Sequence, residues 1–207
     1  MNRQITRGVY PAILLLLVFC SACVSLERSY PEIRYFVIAI PDRGDPPGST
    51  GERILSVANL RISPRFADKN FVYRNSESGY ETDYYNQFLI SPDLNIAEEV
   101  RKGLAASQLF KYVVGPSNPL AANYSLEGSI NALYGDFRNL NAPMAVLEFE
   151  VFLHNEDSAT PSVVLQKRYS KSVPISARSP EALVKGWNDA LDEILAALIA
   201  DLKSMKS

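Results

Sequence analysis

A chain of 207 residues with 47% hydrophobic and 21% charged residues falls in the ordinary globular range and is long enough for one core, and by default one domain. Its 21 basic and 23 acidic residues give a net charge of −2, which excludes the strongly basic balance of a nucleic-acid-binding protein. No block of like charges forms a polybasic membrane patch.

At the N-terminus, Arg3 and Arg7 precede an apolar run from Val9 to Phe19 (VYPAILLLLVF). About 11 apolar residues fall short of the roughly 20 that a spanning helix needs, and Pro11 interrupts their start, so the pattern is that of a cleavable secretory signal. Small Ser21 and Ala22 directly precede Cys23 where the apolar run stops. This resembles the bacterial lipobox, with one departure: Cys20 stands three positions before the cysteine, where Leu is usual. The resemblance implies that residues 1–22 are removed, that the thiol of Cys23 is diacylated and that the new N-terminus is acylated. Cys20 and Cys23 also have the CxxC spacing of a redox pair or half a zinc site. The chain carries no second CxxC and its single histidine is His154, so the lipid reading is the stronger one. It leaves the mature domain without a free thiol or a disulfide.

Each buried CH₂ contributes roughly 0.8 kcal/mol, so two or three acyl chains anchor stably where one is marginal. Residues 23–32 form a polar tether, and the ten or so positions from Cys23 to Ile33 reach at most about 35 Å. Val24 follows the cysteine where inner-membrane retention signals have Asp, a resemblance to outer-membrane sorting with the domain facing the periplasm. Loss of Arg3 and Arg7 with the signal takes the 21 basic residues down by two against 23 acidic ones, a net of −4.

From Ile33 onward the chain reads as one α+β domain, residues 33–207, with a mostly antiparallel sheet of long strands packed against two helices. Ile33 to Ile40 is continuous, β-branched and aromatic, as in a buried strand, and the Pro- and Gly-rich stretch 41–52 after it is a loop. Ile54 to Ile62 alternates up to Ser63 and Pro64. Phe71 to Tyr73 and Tyr80 to Leu89 are two further strands around a polar turn. Ser91 as N-cap, Pro92 and Asp93 open a helix whose Ile96, Val100 and Leu104 form one stripe. Leu109 to Val114 suits an inner strand. Three long strands follow: one in which Tyr124, Leu126, Gly128, Ile130, Ala132 and Tyr134 share a face, one with Ala145, Leu147, Phe149, Val151 and Leu153 inward, and Val163 to Val173. Ser179, Pro180 and Glu181 open the last helix, with Leu183, Trp187, Leu191, Leu195, Leu198 and Leu202 on one side.

The catalytic inventory is thin. A Ser or Cys nucleophile needs an adjacent base, and the only imidazole, His154, falls at a strand end beside a polar turn, where an exposed histidine without a role is the simpler reading. Glu148 and Glu150 share a strand face and mimic a carboxylate pair, but on the wet side of a sheet such pairs are solvated. Neither metal nor cofactor is expected, and the chain reads as a binding or assembly protein rather than an enzyme. One segment is richer in aromatics than a small core requires: Phe71, Tyr73, Tyr80, Tyr84, Tyr85 and Phe88 fall within 18 residues, so half of them should point outward. They either pack under the first helix or present an amphipathic surface to a protein or a lipid. Tyr80, Tyr84, Tyr85 and Phe88 are the candidate partner-binding residues.

The order of parts resembles the auxiliary lipoprotein component of bacterial ABC-type transport systems, the PqiC-like family that accompanies MCE-type lipid transporters. The resemblance rests on Arg34-Tyr35-Phe36, Val57 to Phe66 (VANLRISPRF) and Phe71-Val72-Tyr73, then Tyr84-Tyr85-Asn86-Gln87-Phe88, the helix with Arg101 and Leu104, and Ser107 to Val113 (SQLFKYV). Many relatives carry a tryptophan just before the first helix where this chain has Tyr85 and Asn86. The resemblance implies a non-enzymatic, membrane-tethered part of a machine that moves lipids or other hydrophobic molecules. Its partners would be an MCE-domain protein and the ABC permease and ATPase. A ring of identical subunits would need two different faces that close on one another. The alternative is an outer-membrane assembly lipoprotein that binds lipopolysaccharide or a barrel protein.

Overall fold

The computed structural model describes residues 31–42, 44, 51–157, 160 and 162–205; the expected signal, Cys23 and most of the expected tether lie outside the described residues. Among those described, nine strands and two helices follow in the order β1 (Arg34–Phe36), β2 (Ile54–Val57), β3 (Arg61–Ile62), β4 (Asn70–Arg74), β5 (Tyr80–Phe88), α1 (Pro92–Ala106), β6 (Tyr112–Val114), β7 (Tyr124–Asp136), β8 (Met144–Asn155), β9 (Ser162–Pro174) and α2 (Pro180–Ser204).

All nine strands belong to one mixed, open sheet built around β7. Along one edge β7 pairs antiparallel with β8, which pairs antiparallel with β9, the expected meander. Along its other edge β7 is met in succession by β2, β3 and β4, all parallel to it. The reading of Ile54 to Ile62 as one strand is corrected here: β2 and β3 are separate, and the Ala58 amide between them still donates to Leu126 O. β6 extends β2 at one end of the sheet, while β5 and then β1 extend β4 at the other. Leu109 to Val114, expected as an inner strand, supplies only the edge strand β6, whose Tyr112 is exposed.

α2 spans 25 residues, about 38 Å at 1.5 Å per residue, and lies across β8 and β9. Leu183, Trp187, Leu191, Leu195, Leu198 and Leu202 are all buried, facing Ala145, Leu147, Phe149, Val151 and Leu153 of β8. Gly186 permits the close approach: a Cβ there would sit 2.6 Å from Ala145 Cβ and 2.7 Å from Ile175 Cγ2. α1 buries Ile96, Val100 and Leu104 and ends where Gln108 adopts a left-handed φ of 59°, its amide bonded to Ala105 O.

Two expected patterns are broken by hydrogen bonding that alternation does not register. β7 carries a bulge between Ile130 and Ala132, opposite Phe149 and Glu148. Leu126, Gly128 and Ile130 point inward as expected, but after the extra residue the parity flips, so Leu133 and Gly135 are buried while Ala132 and Tyr134 turn outward. The expected strand Ile33 to Ile40 is a strand only over Arg34–Phe36. Val37 to Ile40 leaves the sheet and becomes a strap over the helices. Asn95 Oδ1 accepts from the Ile38 amide at 2.8 Å while Asn95 Nδ2 donates to Ile38 O at 2.9 Å. Asn188 Oδ1 accepts from Ala39 N, and the buried Glu99 accepts from Ile40 N at 2.9 Å and from Lys102 Nζ at 2.8 Å. The three side chains supply the partners that a neighbouring strand would otherwise give.

Candidate docking site at the edge of the sheet

The six clustered aromatics divide by environment. Phe71 and Phe88 are core: their rings are 4.7 Å apart, and Trp187 packs edge-on to Phe71 at 5.0 Å and against Phe88 at 5.4 Å. Phe88, 2% exposed, is unavailable to a partner and leaves the docking set. It packs beneath α2, not under the first helix. Tyr80, partly exposed, belongs to a separate cluster with Phe66 and Tyr134 on the face where Tyr134 turns outward, with Arg74 over its ring at 5.7 Å. Tyr84, 62% exposed, and Tyr85 stand together, their rings 5.4 Å apart and perpendicular.

A regular strand would put Tyr84 and Phe88 on one face. They separate because β5 bulges: Phe71 pairs with Asp83 but Asn70 pairs with Gln87, leaving Tyr84, Tyr85 and Asn86 without partners in β4. The carboxylate of Asp83 organises the bulge. Its Oδ1 accepts from the amides of Tyr85 at 2.9 Å and Asn86 at 3.1 Å, and its Oδ2 accepts from Asn86 Nδ2 at 2.6 Å and Tyr73 Oη at 2.7 Å. Asn86 Oδ1 in turn accepts from Arg34 Nε at 3.0 Å and Nη2 at 2.7 Å, and Arg34 Nη1 pairs with Glu181 in the first turn of α2. The tyrosines are thus displayed from a backbone fixed to β1, β4 and α2.

Burial alone would raise the Asp83 acid, but the bonds from Asn86, from the Tyr73 hydroxyl and from two amides outweigh it and hold this carboxyl below its ordinary value. Burial, reinforced by the bond to Asp83, pushes the Tyr73 phenol far above its ordinary value, so it remains a donor. Arg34 and Asn86 fall within the short motifs of the family resemblance, but neither they nor Asp83 are among the residues expected at the docking site. The available signal is the Asp83-Tyr84-Tyr85-Asn86 spacing, in which an Asp bonds the amides two and three residues on, a turn-forming habit placed inside a strand.

The remaining candidates all lie on β8. Glu148 and Glu150 face Arg168, at 3.5 and 3.6 Å, rather than solvent alone. His154 is half-buried opposite Ser125 and Val163, not fully exposed as expected, and its Nε2 has no partner among the described residues. Among the described residues no three His, Cys, Asp or Glu side chains group as a metal site, and no helix is long and apolar enough to cross a membrane. Cys23 lies outside the described residues.

Among the described residues, the class defined by the fold is an α+β domain with one open mixed sheet and two helices, displaying Tyr84 and Tyr85 from a bulge near the sheet edge. By sequence, the chain belongs to the family of ABC-type transport auxiliary lipoprotein components, whose model matches residues 36–200. Membership makes it a lipid-anchored protein of the cell envelope that works with an ABC transport system. The fold is similar to that of protein XCC0632 of Xanthomonas campestris, from the DUF330 family, with a TM-score of 0.68 and 14% identity over 80% of this chain and 92% of that one. It is also similar to the crystal structure of an uncharacterized protein, with a TM-score of 0.66 and 14% identity over 83% of this chain and 99% of that one. No curated protein matches the chain by sequence.

Proposed function

We propose that the protein is the non-enzymatic docking subunit of an MCE-associated ABC system that moves lipids or other hydrophobic molecules through the envelope, anchored by Cys23 in the outer membrane and facing the periplasm. The observation that carries the docking role is the tyrosine bulge. Exposed Tyr84 and Tyr85 sit on backbone pinned by Asp83 and Asn86, so little freedom is lost when a partner covers them. Tyrosines at such a site are typical binding hot spots. The MCE assignment rests on the family and on the resemblance of the short motifs, and a permease, an ATPase and an MCE protein encoded beside this chain would support it.

The test is co-purification of the membrane-extracted lipoprotein with an MCE-domain protein. Replacing Tyr84→Ala and Tyr85→Ala together should lower partner recovery by about tenfold or more, with the melting transition unchanged. Full recovery of the partner would remove the bulge from the docking role.

A further inference from the structure

Beside the tyrosine bulge, the edge strand β1 carries a second exposed apolar surface. Tyr35 is 57% exposed, Leu89 54% and Leu94 50%, with Val37 and Ile90 also exposed. The parallel register sets Tyr35 beside Gln87 and Phe36 beside Phe88, and the Leu89 amide donates to Phe36 O at 2.8 Å. Alternation sends Phe36 and Phe88 into the core and Tyr35, Val37 and Leu89 to the opposite side. The paired bonds between Ile38 and Asn95 bring Val37 up to the turn of α1 that holds Leu94. Tyr35, Val37 and Leu89 thus share one side of a strand that ends the sheet among the described residues, and exposed Ile90 and Leu94 follow on the segments joined to it. Singly exposed apolar residues are ordinary, but a contiguous patch on an edge strand calls for a cover. Lys69 lies at its rim, its amine bonded to Leu89 O, and Asp93 adjoins Leu94.

The length of the tether identifies the cover. Tyr35 lies three residues after the ten-residue stretch 23–32, which reaches at most about 35 Å. A surface held that close to a bilayer meets it at an effective concentration near the millimolar range, so weak affinity suffices for persistent contact. Aliphatic side chains beside a tyrosine suit the boundary between headgroups and acyl chains. We infer that Tyr35, Val37, Leu89, Ile90 and Leu94 rest on the phospholipid surface that holds the lipid anchor, and that this contact orients the domain. The inference rests on acylation at Cys23 and not on the docking role of Tyr84 and Tyr85. It turns β6 away from the membrane. β4 pairs at Gly135 of β7 and β2 at Tyr124, eleven residues and about 36 Å apart along the strand.

The test uses the mature lipoprotein, which has no other free thiol once Cys23 is acylated, reconstituted in vesicles of phosphatidylethanolamine and phosphatidylglycerol. A fluorophore is placed at Ile90→Cys or, as control, at Tyr112→Cys on β6. A lipid carrying a shallow nitroxide should roughly halve emission from the Ile90 position and leave that from the Tyr112 position unchanged. Adding Val37→Ser and Leu94→Ser should restore emission at position 90 while the protein still floats with the vesicles. Equal response at both positions, or shielding at position 90 that follows protein density rather than nitroxide, would overturn the inference, the latter by showing a second copy on the patch. Failure to float would overturn acylation at Cys23, and this inference with it.

Discussion

The slab made by α2 on β8 and β9 and the edge made by β1 and β5 are held by different physics. In the slab, apolar side chains repeat at the helical and strand periods and meet face to face, with Gly186 letting the backbones close. At the edge a few polar groups do the positioning: Asp83 and Asn86 shape the bulge, and Asn95, Glu99 and Asn188 hold the strap. Burial is non-directional and tolerates exchange between similar side chains; hydrogen bonds at fixed points do not. The surface that differs most from a generic α+β domain is therefore the one set by single residues.

Trp187 joins the two regions, since it projects from α2 onto Phe71 of β4 and Phe88 of β5. Trp187→Ala should be the most destabilising of the substitutions considered, by about 4 kcal/mol, because it leaves a cavity where three aromatic rings meet. Urea denaturation followed by circular dichroism would read it as a lower midpoint at unchanged slope. A loss below about 1 kcal/mol would mean that slab and edge are not coupled through this ring.

The next effect isolates the edge. Asp83→Ala leaves the Tyr73 hydroxyl and the amides of Tyr85 and Asn86 without their acceptor, a cost of about 2 kcal/mol. The sign of its pH dependence follows from the lowered acid value. Stability contributed by the Asp83 carboxylate is complete above the unfolded value of about 4 and is lost as pH falls through the lower folded value. The wild type should therefore lose stability more steeply than Asp83→Ala in that acid window. Hydrogen exchange at Tyr85 and Asn86 should quicken in the variant while exchange in β8 stays slow.

How far each region is legible in the sequence follows the same division. Ala145 to Leu153 and Leu183 to Leu202 announce their buried faces, because a period in the chain becomes a face in space. The outward placement of Tyr84 and Tyr85 is half legible: the density of aromatics shows that some must be exposed, but strict alternation groups Tyr84 with Phe88, and only the Asp83 bulge parts them. The strap is not legible, because Ile38 and Asn95 are 57 residues apart and Ala39 and Asn188 are 149 apart. An apolar, β-branched run reads as a strand whether its amides meet a neighbouring strand or the side chains of a helix.

The smallest effect compares the two helix starts, which look alike in sequence as Ser-Pro followed by an acid. Both starts make the same first backbone bond, Asn95 N to Ser91 O and Leu183 N to Ser179 O, but only at α2 does the serine hydroxyl also accept, from the Ala182 amide at 3.2 Å, while the Ser91 side chain makes no capping bond. Ser179→Ala should therefore cost about 1 kcal/mol, and Ser91→Ala only a few tenths. Leu94 of the exposed patch lies in the first turn of α1, while Glu181, partner of Arg34, lies in the first turn of α2. A weakened α2 start should accordingly loosen the bulge through Arg34 and Asn86, and exchange at the Asn86 amide should rise in Ser179→Ala but not in Ser91→Ala. An equal rise in both would show that the bulge is held by Asp83 alone, with the bridge from Arg34 to α2 contributing nothing to its order.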